Sequence, residues 1–274
     1  MNTKKIKQTG ILLLSIISMS AYADKFGTLC QEDFEEEDGK VSTISYTYSH
    51  CSKFNSKMDS IRNTSKKFYQ FIDSSNESGW SPSNDDNSGV GGIDTVDLVF
   101  VSSHGNSTKD YSLISKYGYQ DRHYSTNWEF GNNTEYLDVL AMYACSTMRI
   151  DSTRYSSNKD GVETDHGGQS YQYTRFKTPL RTGMKLVLGA YDSMYGGYWR
   201  QNEGRNFANY LKSGHSLQYA WRKAYRSHHP NTMATGKTSS NCNNRRSKLK
   251  WKNLNSYSRI TGSDNKYFCQ RWGF

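Results

Sequence analysis

Three short and almost continuously apolar runs constrain the fold of this chain more than any other feature. The runs are VDLVFV at 96–101, LDVLAMYAC at 137–145 and MKLVLGAY at 184–191. Such runs, separated by long polar connections, are typical of central strands in a parallel sheet that is buried on both faces. Half-exposed antiparallel strands would instead alternate apolar and polar residues. The sequence therefore predicts an α/β fold with a mostly parallel central sheet.

Weaker patterns predict the flanking elements. The segment VSTISYTYSH at 41–50 alternates and predicts an edge strand or a hairpin. Residues 57–73 predict a helix with five apolar residues near one face, and the chain after Gly197 predicts two helices separated by a break at 213–214. The apolar positions of the first are Met58, Ile61, Phe68, Phe71 and Ile72, and those of the other two are Phe207, Leu211, Leu217, Ala220, Trp221 and Ala224.

The first 23 residues have the three parts of a bacterial-type secretory signal peptide. Three lysines precede an apolar stretch from Ile11 to Met19, and Ala21-Tyr22-Ala23 forms a cleavage site with small residues at both ends. No later stretch approaches the ~20 apolar residues of a transmembrane helix. We expect a secreted or periplasmic protein without a membrane span. Loss of the three lysines would reduce the formal charge from +9 to +6.

The mature chain, 24–274, is long enough for a single α/β domain. We expect its core at about 57–226, with polar N- and C-terminal segments tied down by disulfides. The basic segment NNRRSKLKWKNLNSYSR at 243–259 is expected to form a solvated, disulfide-tied face, and the alternative is a site for nucleic acid or anionic glycans.

Five cysteines in an exported chain leave one thiol after two disulfides have formed. Pairing cannot be read from sequence, but the simplest scheme joins Cys30 to Cys51 and Cys242 to Cys269. Each bridge would close a polar loop and contribute roughly 3 kcal/mol. The remaining Cys145 has apolar flanks and ends the second strand. It is either a site residue or a buried thiol that packs as a small hydrophobe.

A histidine ends the first apolar run as Cys145 ends the second. If the two strands pair in parallel, His104 and Cys145 face one crevice at the carboxyl edge of the sheet. A free cysteine with a pKa near ~8.5 is mostly thiol at neutral pH, and a neighbouring imidazole can activate it and later protonate a leaving amine. Gly105 permits close backbone approach, and its N–H and that of Cys145 are candidate oxyanion donors.

An apolar strand ending in His-Gly, followed by one ending in Ala-Cys, resembles the signature of the caspase-like cysteine peptidases. Here the motifs are VDLVFVSSHG and LDVLAMYACS. The resemblance implies a three-layer caspase–haemoglobinase fold in which His104 is the acid/base and Cys145 the nucleophile of a dyad. A family of uncharacterised secreted bacterial proteins carries the same two motifs and is similar over more of the chain. The nucleophile segment at 143–147 departs from the caspase pattern, so substrate preference does not carry over.

These residues predict an exported cysteine peptidase that acts on a peptide or protein substrate. Ser103, Ser146 and Asp192 are candidate residues of the substrate pocket, although Asp192 also suits a turn. No cofactor or metal is expected, because the C-terminal histidines lack the spacing of zinc ligands. Two alternatives stay open: an inactive caspase-like scaffold that binds a protein or a surface polymer, and an acyl transferase that uses the same dyad.

Overall fold

The computed structural model describes about half of the chain. The described residues are 25–35, 40–44, 46–61, 65–72, 95–105, 113–114, 122–123, 137–145, 147–148, 160–164, 176, 179–190, 194, 200–228, 230–261 and 267–272. The predicted signal peptide at 1–23 lies outside them. Among these residues, no helix is both long and apolar enough to cross a membrane.

The fold is α/β, as predicted, and eight of its strands form one sheet. In chain order the strands of this sheet are β1 (Lys25–Gln31), β4 (Ser65–Ile72), β5 (Leu98–Ser102), β8 (Val139–Tyr143), β9 (Asp160–Thr164), β10 (Leu186–Ala190), β11 (Pro230–Gly236) and β12 (Tyr267–Trp272). Two small ladders pair β2 (Asp33–Glu35) with β3 (Val41–Thr43) and β6 (Leu113–Ile114) with β7 (Arg122–His123). The helices are α1 (Tyr46–Asp59), α2 (Glu203–Lys212), α3 (Leu217–Ala224) and α4 (Ser239–Lys248), with 3₁₀ turns at Arg226–His228 and Trp251–Ser256.

The central sheet is mixed rather than mostly parallel. Its strand order is β4-β1-β5-β8-β10-β11-β12-β9, and the first five strands are parallel while the last three are antiparallel to their neighbours. The three apolar runs are β5, β8 and β10, which lie side by side in the parallel half. The antiparallel half was missed because β11, with the sequence PNTMATG, is largely polar although it is buried along its whole length.

Apolar side chains cover both faces of the parallel strands. Along β5, Leu98 and Phe100 join a cluster that packs under α1, α2 and α3, while Val99 and Val101 join a second cluster on the opposite face. Phe176 and Leu180 contribute to the second cluster. Burial on both faces is why these strands are continuously apolar in sequence.

The helix predicted at 57–73 is wrong. Helix α1 ends at Asp59, and residues 65–72 form β4, which pairs in parallel with β1. Pairing with a neighbouring strand overrides a helical spacing of apolar residues in a segment rich in aromatic side chains. In the alternating segment at 41–50 only Val41–Thr43 is a strand, and α1 begins at Tyr46.

The two helices predicted after Gly197 are confirmed as α2 and α3. Gly214 separates them in a left-handed conformation with φ +78°, which glycine adopts without strain. Ser216 then caps α3, because its side chain accepts a hydrogen bond from the backbone N–H of Tyr219 at 3.3 Å. The six predicted apolar positions of these helices are all buried.

Both predicted disulfides are present, but they do not close polar loops. Cys30 on β1 joins Cys51 on α1, and Cys242 on α4 joins Cys269 on β12, with Cα–Cα distances of 6.4 and 5.9 Å. All four cysteines are completely buried. The disulfides therefore fasten a helix to a strand at each end of the chain, and the core extends beyond residues 57–226.

The basic segment at 243–259 is not a simple solvated face. Arg245, Arg246, Leu249, Trp251 and Leu254 are buried. Arg245 donates to the carbonyl oxygen of Ser258 at 2.6 Å, and burial lowers the pKa of its guanidinium to about 10. This segment joins the core because α4 and the following 3₁₀ turn pack against the sheet.

A buried charge cluster fixes the amino ends of β8 and β10. Asp138 accepts from Lys185 Nζ at 2.6 Å and from Arg259 at 2.8 Å, and Lys185 also donates to the carbonyl oxygen of Leu254 at 2.8 Å. The Lys185 side chain is 4% exposed, whereas that of Arg259 is 24% exposed. Asp138 therefore holds the two strands and the C-terminal segment together.

We expect Asp138→Asn to reduce the free energy of unfolding by about 3 kcal/mol, because it leaves the buried Lys185 without a countercharge. Arg259→Gln should cost about 1 kcal/mol or less, since its charge is partly solvated. Urea unfolding at neutral pH measures both. Equal losses in the two variants would contradict the importance of the buried ion pair.

Candidate active site

The parallel pairing of β5 with β8 brings the two predicted site loops together. Their register runs from Leu98 opposite Val139 to Ser102 opposite Tyr143. One residue further on, the N–H of Ser103 donates to the carbonyl oxygen of Tyr143 at 3.1 Å. The His104-Gly105 pair therefore emerges beside Cys145 at the carboxyl edge of the sheet.

Gly105 packs directly against the backbone of Cys145. A Cβ atom at position 105 would lie 2.1 Å from the carbonyl oxygen of Cys145 and 2.5 Å from its nitrogen. Real Cβ atoms do not approach this closely, so only glycine fits unless the two loops separate. The contact places the backbone N–H groups proposed as oxyanion donors on neighbouring segments.

The sulfur of Cys145 lies against the backbone of Met194. The N–H of Met194 donates to Sγ at 3.3 Å, and the thiol lies 3.8 Å from the carbonyl oxygen of the same residue. Cys145 is the free cysteine and is half-buried. An N–H directed at sulfur stabilises negative charge there, which suits a nucleophile. Sequence reasoning missed Met194, although the third apolar run ends only three residues before it.

The imidazole of His104 is exposed, and its orientation is partly fixed by its own loop. Nδ1 lies 2.8 Å from the carbonyl oxygen of Gly105. A carbonyl oxygen only accepts hydrogen bonds, so Nδ1 carries the proton. In the neutral ring Nε2 is then the basic nitrogen, which is the arrangement required for accepting a proton from a thiol or water.

Of the three further candidate residues, Ser103 lies within the described part of the chain. The hydroxyl of Ser103 is buried and lies 3.3 Å from Gln31 Oε1 on β1 and 3.3 Å from the carbonyl oxygen of His104. It points into the protein and braces the loop. Ser146 and Asp192 lie outside the described residues.

A layer of buried polar and aromatic side chains supports the site from the α1 face. His50 Nδ1 lies 3.3 Å from Ser102 Oγ, and its Nε2 lies 3.3 Å from the hydroxyl of Tyr225. The His50 ring also packs edge-on against Tyr143, with centroids 4.2 Å apart. Burial lowers the pKa of His50 to about 3, so this imidazole is neutral. His50 thus links α1 and the C-terminal helices to the ends of the two site strands.

A carboxylate lies in the same layer. Glu203 at the start of α2 contacts His228 Nε2 at 3.1 Å and Arg200 at 3.3 Å, and it bonds to the hydroxyl of Tyr143. The pKa of Tyr46 is raised, first by burial and then by the negative charges of Cys145 and Glu203. The Tyr46 ring packs edge-on against that of Tyr143, with centroids 6.4 Å apart. Sequence reasoning assigned none of these residues to the site, because each belongs to a different element and no local motif joins them.

Among the described residues, no group of three or more histidine, cysteine, aspartate or glutamate side chains could hold a metal ion. The groups that the described site brings together are a thiol, an imidazole and backbone N–H groups.

Comparison with known families places most of this chain in one of them. The family described as "Domain of unknown function (DUF6345)" matches residues 31–272, and the chain belongs to it. The match includes both site strands, all the described helices and the antiparallel end of the sheet. A search of curated proteins gave no match.

The buried His50 gives folding a predictable pH dependence. Unfolded histidine has a pKa near ~6.5, so the unfolded chain gains a proton on acidification that the native protein does not. The free energy of unfolding should consequently fall by about 2 kcal/mol between pH 7.5 and pH 5 through this residue. His50→Gln keeps hydrogen-bonding groups but cannot titrate.

Urea unfolding of both proteins across this pH range isolates the contribution of His50. The variant should lose less stability on acidification than the wild type. Parallel pH profiles would show that His50 is not a buried neutral group.

Proposed function

We propose that this member of the DUF6345 family is an exported cysteine peptidase that hydrolyses peptide bonds with a Cys145/His104 dyad. One observation carries the proposal: parallel pairing of β5 and β8 sets His104-Gly105 beside Cys145, with Gly105 in contact with the Cys145 backbone. The cysteine left out of both disulfides is the one at this edge.

In the first half of the reaction, the Cys145 thiolate attacks the carbonyl carbon of the scissile peptide and forms a C–S bond. The carbonyl oxygen gains negative charge, which the N–H groups of Gly105 and Cys145 would stabilise, each by up to ~3 kcal/mol if well aimed. His104, which has taken up the thiol proton, donates it to the leaving nitrogen. The C–N bond breaks, the amine product leaves, and an acyl thioester remains.

In the second half, His104 Nε2 accepts a proton from a water molecule as the water oxygen attacks the thioester carbon. The C–S bond breaks, the carboxylic acid product leaves, and the proton returns to sulfur or remains on the imidazole. The Nδ1 contact with the carbonyl oxygen of Gly105 supports this role, since it presents Nε2 as the basic atom.

The finer fold proposed here is a three-layer caspase-like arrangement. Support comes from five parallel strands with apolar clusters on both faces, and from a histidine and a cysteine at adjacent strand ends. Export is supported by two completely buried disulfides and by the signal-peptide features of residues 1–23.

Thiol reactivity tests the activation of Cys145 independently of any substrate. We expect iodoacetamide to alkylate Cys145 of the native protein at pH 6 roughly tenfold faster than a free cysteine, which is only about 0.3% thiolate there. His104→Ala should remove this advantage, whereas His215→Ala on the connection between α2 and α3 should not. Peptide mass mapping identifies the modified residue.

A Cys145 that reacts no faster than the free amino acid between pH 5 and pH 8 would overturn the peptidase proposal. A rate unchanged by His104→Ala would overturn the dyad.

Digestion of a peptide library tests the activity itself. Cys145→Ala should reduce cleavage to background, and His104→Ala should reduce kcat/KM by about 10²–10⁴, the usual contribution of a general acid–base residue. His215→Ala is the matched control and should retain full activity. Thermal unfolding of each variant verifies that the fold persists. Cleavage that survives both site substitutions would exclude these residues as the catalytic pair.

A further inference from the structure

The C-terminal part of the chain carries positive but almost no negative side chains. Residues 204–263 contain 12 of the 35 lysines and arginines and none of the 26 aspartates and glutamates. The rest of the chain is consequently slightly acidic, although the whole is basic. Such a segregation creates a positive field over α3, α4 and the turns that follow them, and this field attracts anions.

The outer face of α3 concentrates part of this charge around a groove. The groove has a volume of about 250 Å³ and is lined by Tyr219, Arg222, Lys223 and Arg226. Tyr219, Arg222 and Lys223 are spaced i, i+3 and i+4 on α3 and so share one helical face, and Arg226 begins the 3₁₀ turn that follows the helix. The opposite face of α3 is buried against the sheet. The fold therefore requires the buried face to be apolar, but packing does not require the exposed face to be basic.

An aromatic cluster borders the groove. The His215 ring stacks on Tyr219 with centroids 4.5 Å apart and planes at 23°, and Tyr210 meets both rings edge-on. The ammonium of Lys223 lies 5.6 Å from the centre of the Tyr219 ring. Tyr219 is 41% exposed, yet these neighbours hold its ring in one orientation. The groove thus has a fixed wall as well as charge.

We propose that this groove binds an anionic polysaccharide through the carboxylate, sulfate or phosphate groups on its sugar units. Three cations that line one groove match a polymer whose charges repeat, and arginine is suited to oxyanions because its planar fork donates two parallel hydrogen bonds. The volume is below the roughly 300–1,000 Å³ of most small-molecule sites, which suits one sugar unit of a chain that continues along the surface.

The same contacts favour a glycan over a nucleic acid. Proteins that bind single strands stack bases on open aromatic faces. Here His215 covers one face of the Tyr219 ring and the Lys223 ammonium lies 5.6 Å from its centre, so less of the ring is available for a base to stack on. The two buried disulfides are typical of proteins outside the cytosol, where surface polysaccharides are accessible as partners.

The groove is separate from the dyad and its occupation does not depend on peptidase activity. It nevertheless ends near the site, because the 3₁₀ turn that begins with Arg226 also carries His228, whose ring packs 5.7 Å from that of Tyr143. A glycan in the groove would therefore hold the protein on a surface polymer with the carboxyl edge of the sheet nearby.

Titration with two defined probes tests the groove. Heparin represents sulfated chains and polygalacturonate represents carboxylated ones, and a single-stranded oligonucleotide of matched charge is the competitor. We expect the wild type to bind at least one glycan more tightly than the oligonucleotide. The triple variant R222Q/K223Q/R226Q should raise that Kd at least about tenfold and flatten its salt dependence.

The matched control, K40Q/K57Q/K237Q, removes the same charge from other elements and should change Kd less than about twofold. If both triple variants weaken glycan binding equally, net charge alone explains the effect and the groove is not the binding site. Oligonucleotide binding as tight as that of both glycans would overturn the choice of ligand. Thermal unfolding of both variants excludes loss of the fold, and no binding of either glycan by the folded wild type would refute the proposal outright.

Discussion

The contact of Gly105 with the backbone of Cys145 depends on a single arrangement, the parallel pairing of β5 with β8. That pairing brings the loops that follow β5 and β8 to the carboxyl edge of the sheet. Because Ser102 lies opposite Tyr143, the two loops begin at the same height along the strands. Because a Cβ at position 105 would overlap the Cys145 backbone, the loops approach more closely than any other residue type would permit. The close approach of the two loops, which suits the proposed dyad, is therefore set by the backbone. The Cys145 thiol and the His104 imidazole supply the reactive groups at an edge whose geometry comes from strand pairing.

The layer behind this edge explains how it is kept in place. Cys51 and His50 are neighbours on α1, and one is joined covalently to β1 while the other bonds Ser102 at the end of β5. Burial keeps His50 neutral, so it bridges α1 and Tyr225 without the desolvation cost of a buried cation. A second disulfide fastens α4 to β12 at the other side of the sheet. The two disulfides thus connect α1 and α4 to strands of the sheet, and His50 connects α1 to the end of β5.

The sequence predicted the parts of this fold that bury continuous apolar segments. β5, β8, β10 and the α2–α3 pair were identified because burial on both faces, or on one helical stripe, leaves a pattern that is local in sequence. The segment 65–72 was assigned to a helix and β11 was missed, since their strand conformation comes from pairing with distant neighbours. In the same way, Cys145 and His104 were proposed as site residues from local motifs at strand ends, while Met194, His50 and Glu203 were not recognised. They reach the site from separate elements without a motif.

Charge and reactive groups occupy different parts of this molecule, and this separation has a functional consequence. The thiol is in contact with the uncharged backbone of Met194, and the Glu203 carboxylate of the supporting layer is in contact with His228 and Arg200. The cations collect instead on the outer face of α3, whose inner face packs on the sheet that carries Cys145. A substitution at the dyad would leave that surface intact, and a change on α3 would leave the β5–β8 edge intact. The proposed glycan binding and the proposed peptide hydrolysis can therefore be lost independently of each other. An active peptidase and an inactive scaffold that binds a surface polymer would share one fold and differ only at Cys145 and His104.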